Sequence, residues 1–475
     1  MLALSRILLL AIIAALALLA FRTPRRFIHA VRDFLLTPMA PANLAVFRIV
    51  VFALVLQKTN LDDAVWLAGI PPELMDVPWG MGWLVSLAPF DPETVRYAGW
   101  ALIIVCALGM VGFCSRTCAV IAAVLGMYVL GVPQCVGKVG HYNHLIWFLM
   151  ILAASPCGDA LSVDALIRSR SRKRLVGISN RSSAYGFPIR VAEILIGLAY
   201  FFPGFWKLWT SGIDWITGDN LTNLVLRYHA MQDMTRGQWI LEFPILLNAG
   251  GAAVILFELT FLFALFRPRS RVLAIVAGVA FHLANWYLLN ILFHPLLACY
   301  VLFIDWGALA RRSITRTSAA VEGGSELAAQ SIPVQTTAVS ALVVLAVSFA
   351  GAKAETQGWP FACYPTFAEV MRSRMYTAVL EATVNEKPRT IDLTPLRLRV
   401  GGIRWERWIR DMANPESEQP QSMRLIAFAR WCARESGVAD SDAHLVLSVS
   451  ELDVISKPWT ALPSRMVVQC TMEGP

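Results

Sequence analysis

The chain has 475 residues, of which 57% are hydrophobic and only 16% charged, with a mean hydropathy of +0.57. Soluble domains hold about 45–50% apolar and about 25% charged residues, so a soluble enzyme of this length is excluded, as are disordered and fibrous chains. The net charge of +8 is gathered into short arginine clusters beside apolar blocks, which is the pattern of cytoplasmic loops rather than of a nucleic-acid-binding face, and no nucleic-acid partner is expected.

The first apolar block, 7–21, is preceded by Arg6 and followed by Arg22, Arg25 and Arg26. Basic residues behind an apolar segment resist translocation, so the block reads as a retained anchor rather than a cleaved signal. Residues 27–38 alternate Arg and His with Phe, Val and Leu, the pattern of a helix lying on a membrane surface. Further spans are predicted at about 42–57, 97–114, 117–134, 143–156, 187–205, 247–266, 272–290, 291–306 and 332–352. Several fall short of the roughly 20 residues that a bilayer demands, and tilt or local thinning has to absorb the difference. Alternation along these spans puts all four arginine clusters (22–32, 168–174, 267–271 and 311–316) in the cytoplasm. It puts loops 58–96, 135–142 and 206–246, and everything after about 353, outside. The protein is expected in the plasma or inner membrane, with lipid as its first partner.

Tryptophans gather in or beside the outer loops: Trp66, Trp79, Trp83, Trp206, Trp209, Trp215 and Trp239. They read either as an aromatic belt at the headgroups or as the roof of an apolar pocket that opens outwards. Residues 313–331 are small, polar and rich in Gly and Ser, which marks a linker. Beyond the last span TAVLEATV, NEKPR and TIDLTPLRLRV read as strand, turn and strand. SMRLIAFARWCARES has helical spacing, and AHLVLSVSELDV is another strand. Nine cysteines form no metal-binding pattern. In an oxidising compartment one pair among Cys363, Cys432 and Cys470 could close a disulfide.

Ionisable residues inside spans cost roughly 2.5–3.5 kcal/mol each on insertion scales, so each needs a reason. Arg48, Arg190, Glu193, Glu258 and His282 stand in this position, and Asn143 with His144 sits at the start of a span. Pairing between helices, for instance Arg48 with Glu258, is the bland explanation. Lys207, at the end of AYFFPGFWKL, either snorkels to the headgroups or lies in a dry pocket as a base.

The segments PANLAVFRIVVF, GHYNHLIWFLMILAASPCGDALSVDAL, AYFFPGFWKLWTSGIDWITGDNL and FELTFLFALFRPRSR, followed by FHLANWYLLNILFHPLLACYVLFIDW, occur in this order. Together, over about residues 40–310, they resemble the horizontally transferred transmembrane (HTTM) domain, the membrane part of vitamin K-dependent gamma-carboxylase. The resemblance implies a base at Lys207 that deprotonates reduced vitamin K or menaquinol. The oxygenated product then removes a glutamate γ-hydrogen, carbon dioxide traps the carbanion, and the epoxide leaves. It also implies that Asn143 and His144 join Lys207 as catalytic residues, and that Trp206, Phe281 and His282 contact the quinol. No metal is expected. Trp206 stands where the carboxylase has the first of two adjacent lysines, and the large lumenal portion of that enzyme has no counterpart here.

The sequence therefore predicts an all-α polytopic membrane bundle of about nine or ten transmembrane helices with a small extracytoplasmic α+β domain. Its parts are an anchor and interfacial helix (1–38), the carboxylase-like membrane domain (39–310), a linker (311–331), a last span (332–352) and the outer domain (353–475). The expected function is quinol epoxidation coupled to carboxylation. The alternatives are a non-catalytic partner handling a secreted peptide or protein, a lipid or quinone transporter, and a structural membrane protein.

Overall fold

The computed structural model describes residues 2–7, 9–11, 14, 24–137, 140–172, 180–232, 234–315, 331–362, 368–384, 386–413, 421–438, 443–455, 460–461 and 466–472. Seven of the described helices are long and apolar enough to cross a bilayer. They are α1 (Pro41–Lys58), α2 (Pro92–Val111), α3 (Ser115–Cys135, closing in a 3₁₀ turn), α4 (Ser183–Ser211), α5 (Pro244–Ala264), α6 (Pro268–Leu289) and α7 (Val334–Ala352). Their ends follow from local chemistry. Pro opens α1, α2, α5 and α6, where a missing N–H costs nothing. The Asp91 carboxylate caps α2 by accepting from the N–H groups of Glu93 and Thr94, and Gly112 closes that helix in the left-handed region at φ 78°.

Two predicted spans are shorter than expected. Residues 143–156 give a 12-residue helix, Asn143–Ala154, and 291–306 give a broken pair of turns, His294–Ala298 and Cys299–Phe303. Neither reaches the roughly 20 residues that cross a hydrocarbon core. Both pack inside the bundle instead, and in the Asn143–Ala154 helix all but two residues are buried. The count of nine or ten therefore becomes seven full-length helices among the described residues, with these two short elements between them. The predicted anchor at 7–21 and the linker at 313–331 lie largely outside the described residues.

The hub is α1 and α4, whose surfaces are mostly covered, with Phe47, Val51, Phe52 and Val55 fully buried. By contrast α2, α5 and α6 turn Ile104, Leu256, Leu273 and Val276 outwards, as helices bathed in lipid do. The arginine-rich connections share one end of the bundle. There Arg181 donates to the Pro38 carbonyl and pairs with Asp305, and Phe34 of the helix Pro24–Leu35 packs on Phe266.

At the opposite end sits the C-terminal domain. Its antiparallel sheet runs β2 (Lys387–Ile391), β1 (Arg374–Val384), β3 (His444–Asp453), with β4 (Thr460–Ala461) and β5 (Met466–Thr471) both paired to β3. Helices Thr394–Val400, Gly402–Met412 and Gln421–Glu435 complete it, with Trp405, Trp408, Phe428 and Trp431 clustered between them. The first strand and the strand at 444–453 lie where the sequence pattern puts them, but the second strand is Lys387–Ile391 and so takes in Lys387, Pro388 and Arg389 of the expected turn. TPLRLRV, however, is helical, because Pro395 denies a strand its ladder N–H yet suits a helix start. Cys432 and Cys470 are buried free thiols, and Cys363 lies outside the described residues.

The domain is fastened to the bundle by named bonds. Trp408 donates to the Leu74 carbonyl at 2.9 Å, Arg424 pairs with Asp76 at 2.8 Å, and Arg227 pairs with Glu406 at 3.0 Å. The segment after α7 is pinned as well. The Trp147 indole donates to Pro360 O at 2.7 Å and the Trp359 indole to Met127 O at 2.8 Å.

Candidate functional site

Helix periodicity builds the site. On α4, Ala199, Tyr200, Pro203 and Lys207 fall within one 100°-wide stripe and line a cavity of about 460 Å³. The facing walls come from α5 (Gly250, Ala253, Val254, Phe257, Glu258) and α6 (Ala277, Ala280, Phe281, His282, Ala284). Five of these ten wall residues are Gly or Ala, so the helices leave room between them. The lining is mostly apolar, and the volume lies within the ~300–1,000 Å³ of small-molecule sites.

Lys207 is 4% exposed, and its ammonium donates to Glu258 Oε1 at 2.5 Å while lying 4.9 Å from the centre of the Trp215 ring. The residue is thus neither at an exposed helix end nor alone in an apolar pocket. It is one half of a buried ion pair. Gly204 makes the pair possible, since a Cβ there would stand 2.8 Å from the Glu258 Cβ. Glu258 is 3% exposed, and its second oxygen, Oε2, has no hydrogen-bond partner among the described residues. Next along the wall, the Tyr200 hydroxyl shares hydrogen bonds with His282 Nε2 at 2.6 Å and with the Tyr300 hydroxyl at 2.9 Å. The His282 ring is fully buried and its Nδ1 has no partner among the described residues. His144 also lines the cavity, 1% exposed.

Of the six residues that the resemblance implies, four are therefore brought together here: Lys207, His144, Phe281 and His282. Asn143 and Trp206 are not. Each is the immediate neighbour of a lining residue, and consecutive helical residues point about 100° apart. Both line a second, polar cavity of about 1250 Å³ between the bundle and the sheet domain. Asn143 donates to Gly358 O at 3.3 Å and the Trp206 indole to Gly351 O at 2.8 Å. His141 borders both cavities.

The suggested pairing of Arg48 with Glu258 is wrong. The Arg48 guanidinium, fully buried, instead donates to the carbonyls of Cys157 (2.7 Å), Ala160 (3.4 Å) and Leu161 (2.6 Å), tying down a loop at the arginine-rich end. Glu193 is held by two guanidiniums, Arg190 at 2.8 Å and Arg271 at 2.5 Å. Among the tryptophans, Trp215 is a cavity wall, whereas Trp79, Trp83 and Trp239 are exposed in the manner of an interfacial belt. Tyr200 and Tyr300 were missed in the sequence, because a tyrosine inside a span costs little and draws no notice.

The family model of the HTTM domain matches residues 36–306, more than half of the chain. The chain belongs to the HTTM domain family. No curated protein and no solved structure matches it. The matched stretch contains α1 to α6, both short elements and every wall of the apolar cavity, while α7 and the sheet domain fall beyond it.

Proposed function

We propose that this HTTM domain protein is a carboxylase-like redox enzyme of the membrane that holds a reduced quinone, of the vitamin K or menaquinol type, in the apolar cavity. The observation that carries this reading is the buried Lys207–Glu258 pair with three histidines, His141, His144 and His282, on mostly apolar walls. The residues suit such a molecule. Phe257, Phe281 and Trp215 offer ring faces and apolar surface, while Glu258 Oε2 and His282 Nδ1 are buried polar atoms still lacking a partner, and such atoms are costly unless a ligand satisfies them. When bound, the quinol supplies the oxygen-dependent oxidation. The chain supplies a place for the hydroxyl proton at the Lys207–Glu258 pair, hydrogen bonds from the Tyr200–His282 chain, and the exclusion of water.

The sheet domain is read as extracytoplasmic, since the arginine-rich connections between the membrane helices lie at the opposite end of the bundle. Reporter fusions after residues 26, 175, 270 and 320 should then read as cytoplasmic, and fusions after 75, 225 and 400 as external. The chemistry is tested by incubating purified protein with reduced vitamin K or menaquinol, oxygen and bicarbonate, and measuring epoxide. Absence of epoxide with every quinol would remove the enzymatic reading.

A second reading draws on the polar cavity between bundle and sheet domain. Its walls carry both signs of charge, from Arg227, Arg374 and Arg407 to Glu406, Asp411 and Glu451, which suits a peptide main chain and mixed side chains. Under it the protein handles a secreted peptide without redox chemistry. A peptide partner held by a protein that no quinol stabilises would favour it.

A further inference from the structure

A lysine can act as a base only when its nitrogen has a lone pair, and an ammonium offers three donors and no acceptor. In this structure the Lys207 nitrogen already lies 2.5 Å from a carboxylate oxygen in a site where both residues are almost wholly covered. Opposite charges so placed attract each other far more than in water, and the contact already engages the lysine nitrogen with Oε1. The atom able to receive a further proton is the other carboxylate oxygen, Glu258 Oε2, which has no partner among the described residues. Among the described residues that line the cavity, Glu258 is also the only carboxylate and Lys207 the only lysine or arginine.

We propose that the carboxylate of Glu258, rather than the amine of Lys207, receives the hydrogen bond and then the proton of a hydroxyl bound in the apolar cavity, and that Lys207 is a positioning residue which holds that carboxylate. The proposal rests on the quinol reading above and names the accepting atom within it. The step balances. The ligand O–H bond breaks, its electron pair stays on the ligand oxygen, and a new O–H bond forms on Oε2. The Lys207 ammonium loses its counter-charge to protonation and faces the charge that appears on the ligand, so the cavity keeps one cation and one anion throughout. A charge pair that only changes partners avoids the cost of creating an unpaired ion in a dry site.

The same geometry sets ligand choice. A lone carboxylate oxygen attracts a hydroxyl and repels an ether or carbonyl oxygen, so the cavity should prefer a hydroquinone over its dimethyl ether. A hydrogen bond to a charged group contributes about 1.5–3 kcal/mol, which corresponds to roughly ten- to a hundredfold in affinity.

The test is equilibrium binding to purified full-length protein, read by quenching of tryptophan fluorescence. The probes are 1,4-naphthohydroquinone, kept reduced under anaerobic conditions, and its dimethyl ether. Wild type should prefer the hydroquinone by roughly tenfold or more. Glu258→Gln, which keeps the shape and removes the anion, should lose most of that preference. Lys207→Arg keeps a cation for the carboxylate but cannot surrender a proton, and it should retain the preference. Lys207→Met, which keeps the apolar stem alone, should lose it. Retention in Glu258→Gln, or loss in Lys207→Arg when that variant unfolds at the wild-type temperature, overturns the proposal in favour of lysine as acceptor. Equal binding of both probes to wild type overturns it while leaving the quinol reading standing. Failure of wild type to bind either probe removes both.

Discussion

Two buried carboxylates anchor charge inside this bundle, and they are treated in opposite ways. Glu193, fully buried on α4, has both oxygens occupied by guanidiniums, from Arg190 one turn away and from Arg271 at the start of α6. No cavity described above touches it. Glu258 on α5 has one oxygen on Lys207 and the other without a partner among the described residues, at the wall of a cavity. Saturation at Glu193 suits a fastener between helices, since each lone pair in use is a constraint on geometry. An unsaturated carboxylate at Glu258 contributes less to the fold than it could, and that shortfall is what a binding site looks like. Burial and charge alone do not separate the two; the number of satisfied oxygens does.

The largest expected effect breaks the comparison at its sealed end. Glu193→Ala leaves Arg190 and Arg271 facing each other without a counterion. Removing one partner of a buried pair typically costs about 3–5 kcal/mol. Thermal unfolding in detergent should show a large loss of stability, while the surviving folded protein should bind naphthohydroquinone as wild type does. Weakened binding in proportion to lost stability would show that the two clusters are not separable.

Lys207→Met is expected to cost less, because Glu258 can take up a proton once its cation is gone. The double variant Lys207→Met with Glu258→Gln should recover much of the loss, as buried ion pairs replaced by neutral groups often do. A double-mutant cycle on unfolding free energies gives the coupling. Additive losses would mean that the 2.5 Å contact contributes nothing.

How much of this was readable in the sequence differs between the two carboxylates for a physical reason. An ionisable residue in an apolar run announces itself, so Lys207, His144, Glu193, Glu258 and His282 all stood out. Partners across helices do not, because contact depends on tilt and register that one sequence does not encode, and so Arg48 was set against Glu258 when it serves loop carbonyls. The displacement of Asn143 and Trp206 into the second cavity was not legible, because adjacent helical residues do share the apolar cavity elsewhere, as Phe257 with Glu258 and Phe281 with His282 show. The two short elements were misjudged because hydropathy reports burial in lipid and burial in protein alike. In the sheet domain the alternating strands were legible, while TPLRLRV alternates like a strand and is helical because Pro395 and the packing of Leu396 and Val400 decide it.

A smaller effect sharpens the comparison through geometry. Gly204→Ala would place a methyl 2.8 Å from the Glu258 Cβ and 3.3 Å from the Leu259 backbone nitrogen. The helices α4 and α5 must then part, at about 1–3 kcal/mol for overpacking. Binding should suffer more than stability does, because the displaced group is Glu258 itself. The same substitution at Gly250, where nothing stands within 4 Å, serves as the control and should leave the helix contact unchanged.

The smallest effect concerns the hydroxyl chain beside the pair. Tyr200 bonds both His282 and Tyr300, and the Tyr300 hydroxyl in turn sits against Gly278 of α6. Tyr300→Phe removes one hydrogen bond and leaves the ring in place, at about 0.5–1.5 kcal/mol. Tyr200 keeps its bond to His282, so the histidine ring stays oriented and hydroquinone affinity should change little. Tyr200→Phe removes both bonds and leaves His282 Nε2 unpartnered in a fully buried position, so it should cost more in stability and should also weaken binding. The ordering matters more than either value. If the chain serves only to fasten α4 to the Cys299–Phe303 turn, both variants should lose stability, Tyr200→Phe the more, and neither should change binding. If it orients His282 toward a ligand, binding responds to Tyr200 and not to Tyr300. Unchanged binding in both variants would place Tyr200 and Tyr300 with Glu193 among the fasteners, and would leave Lys207 and Glu258 as the charged part of the site.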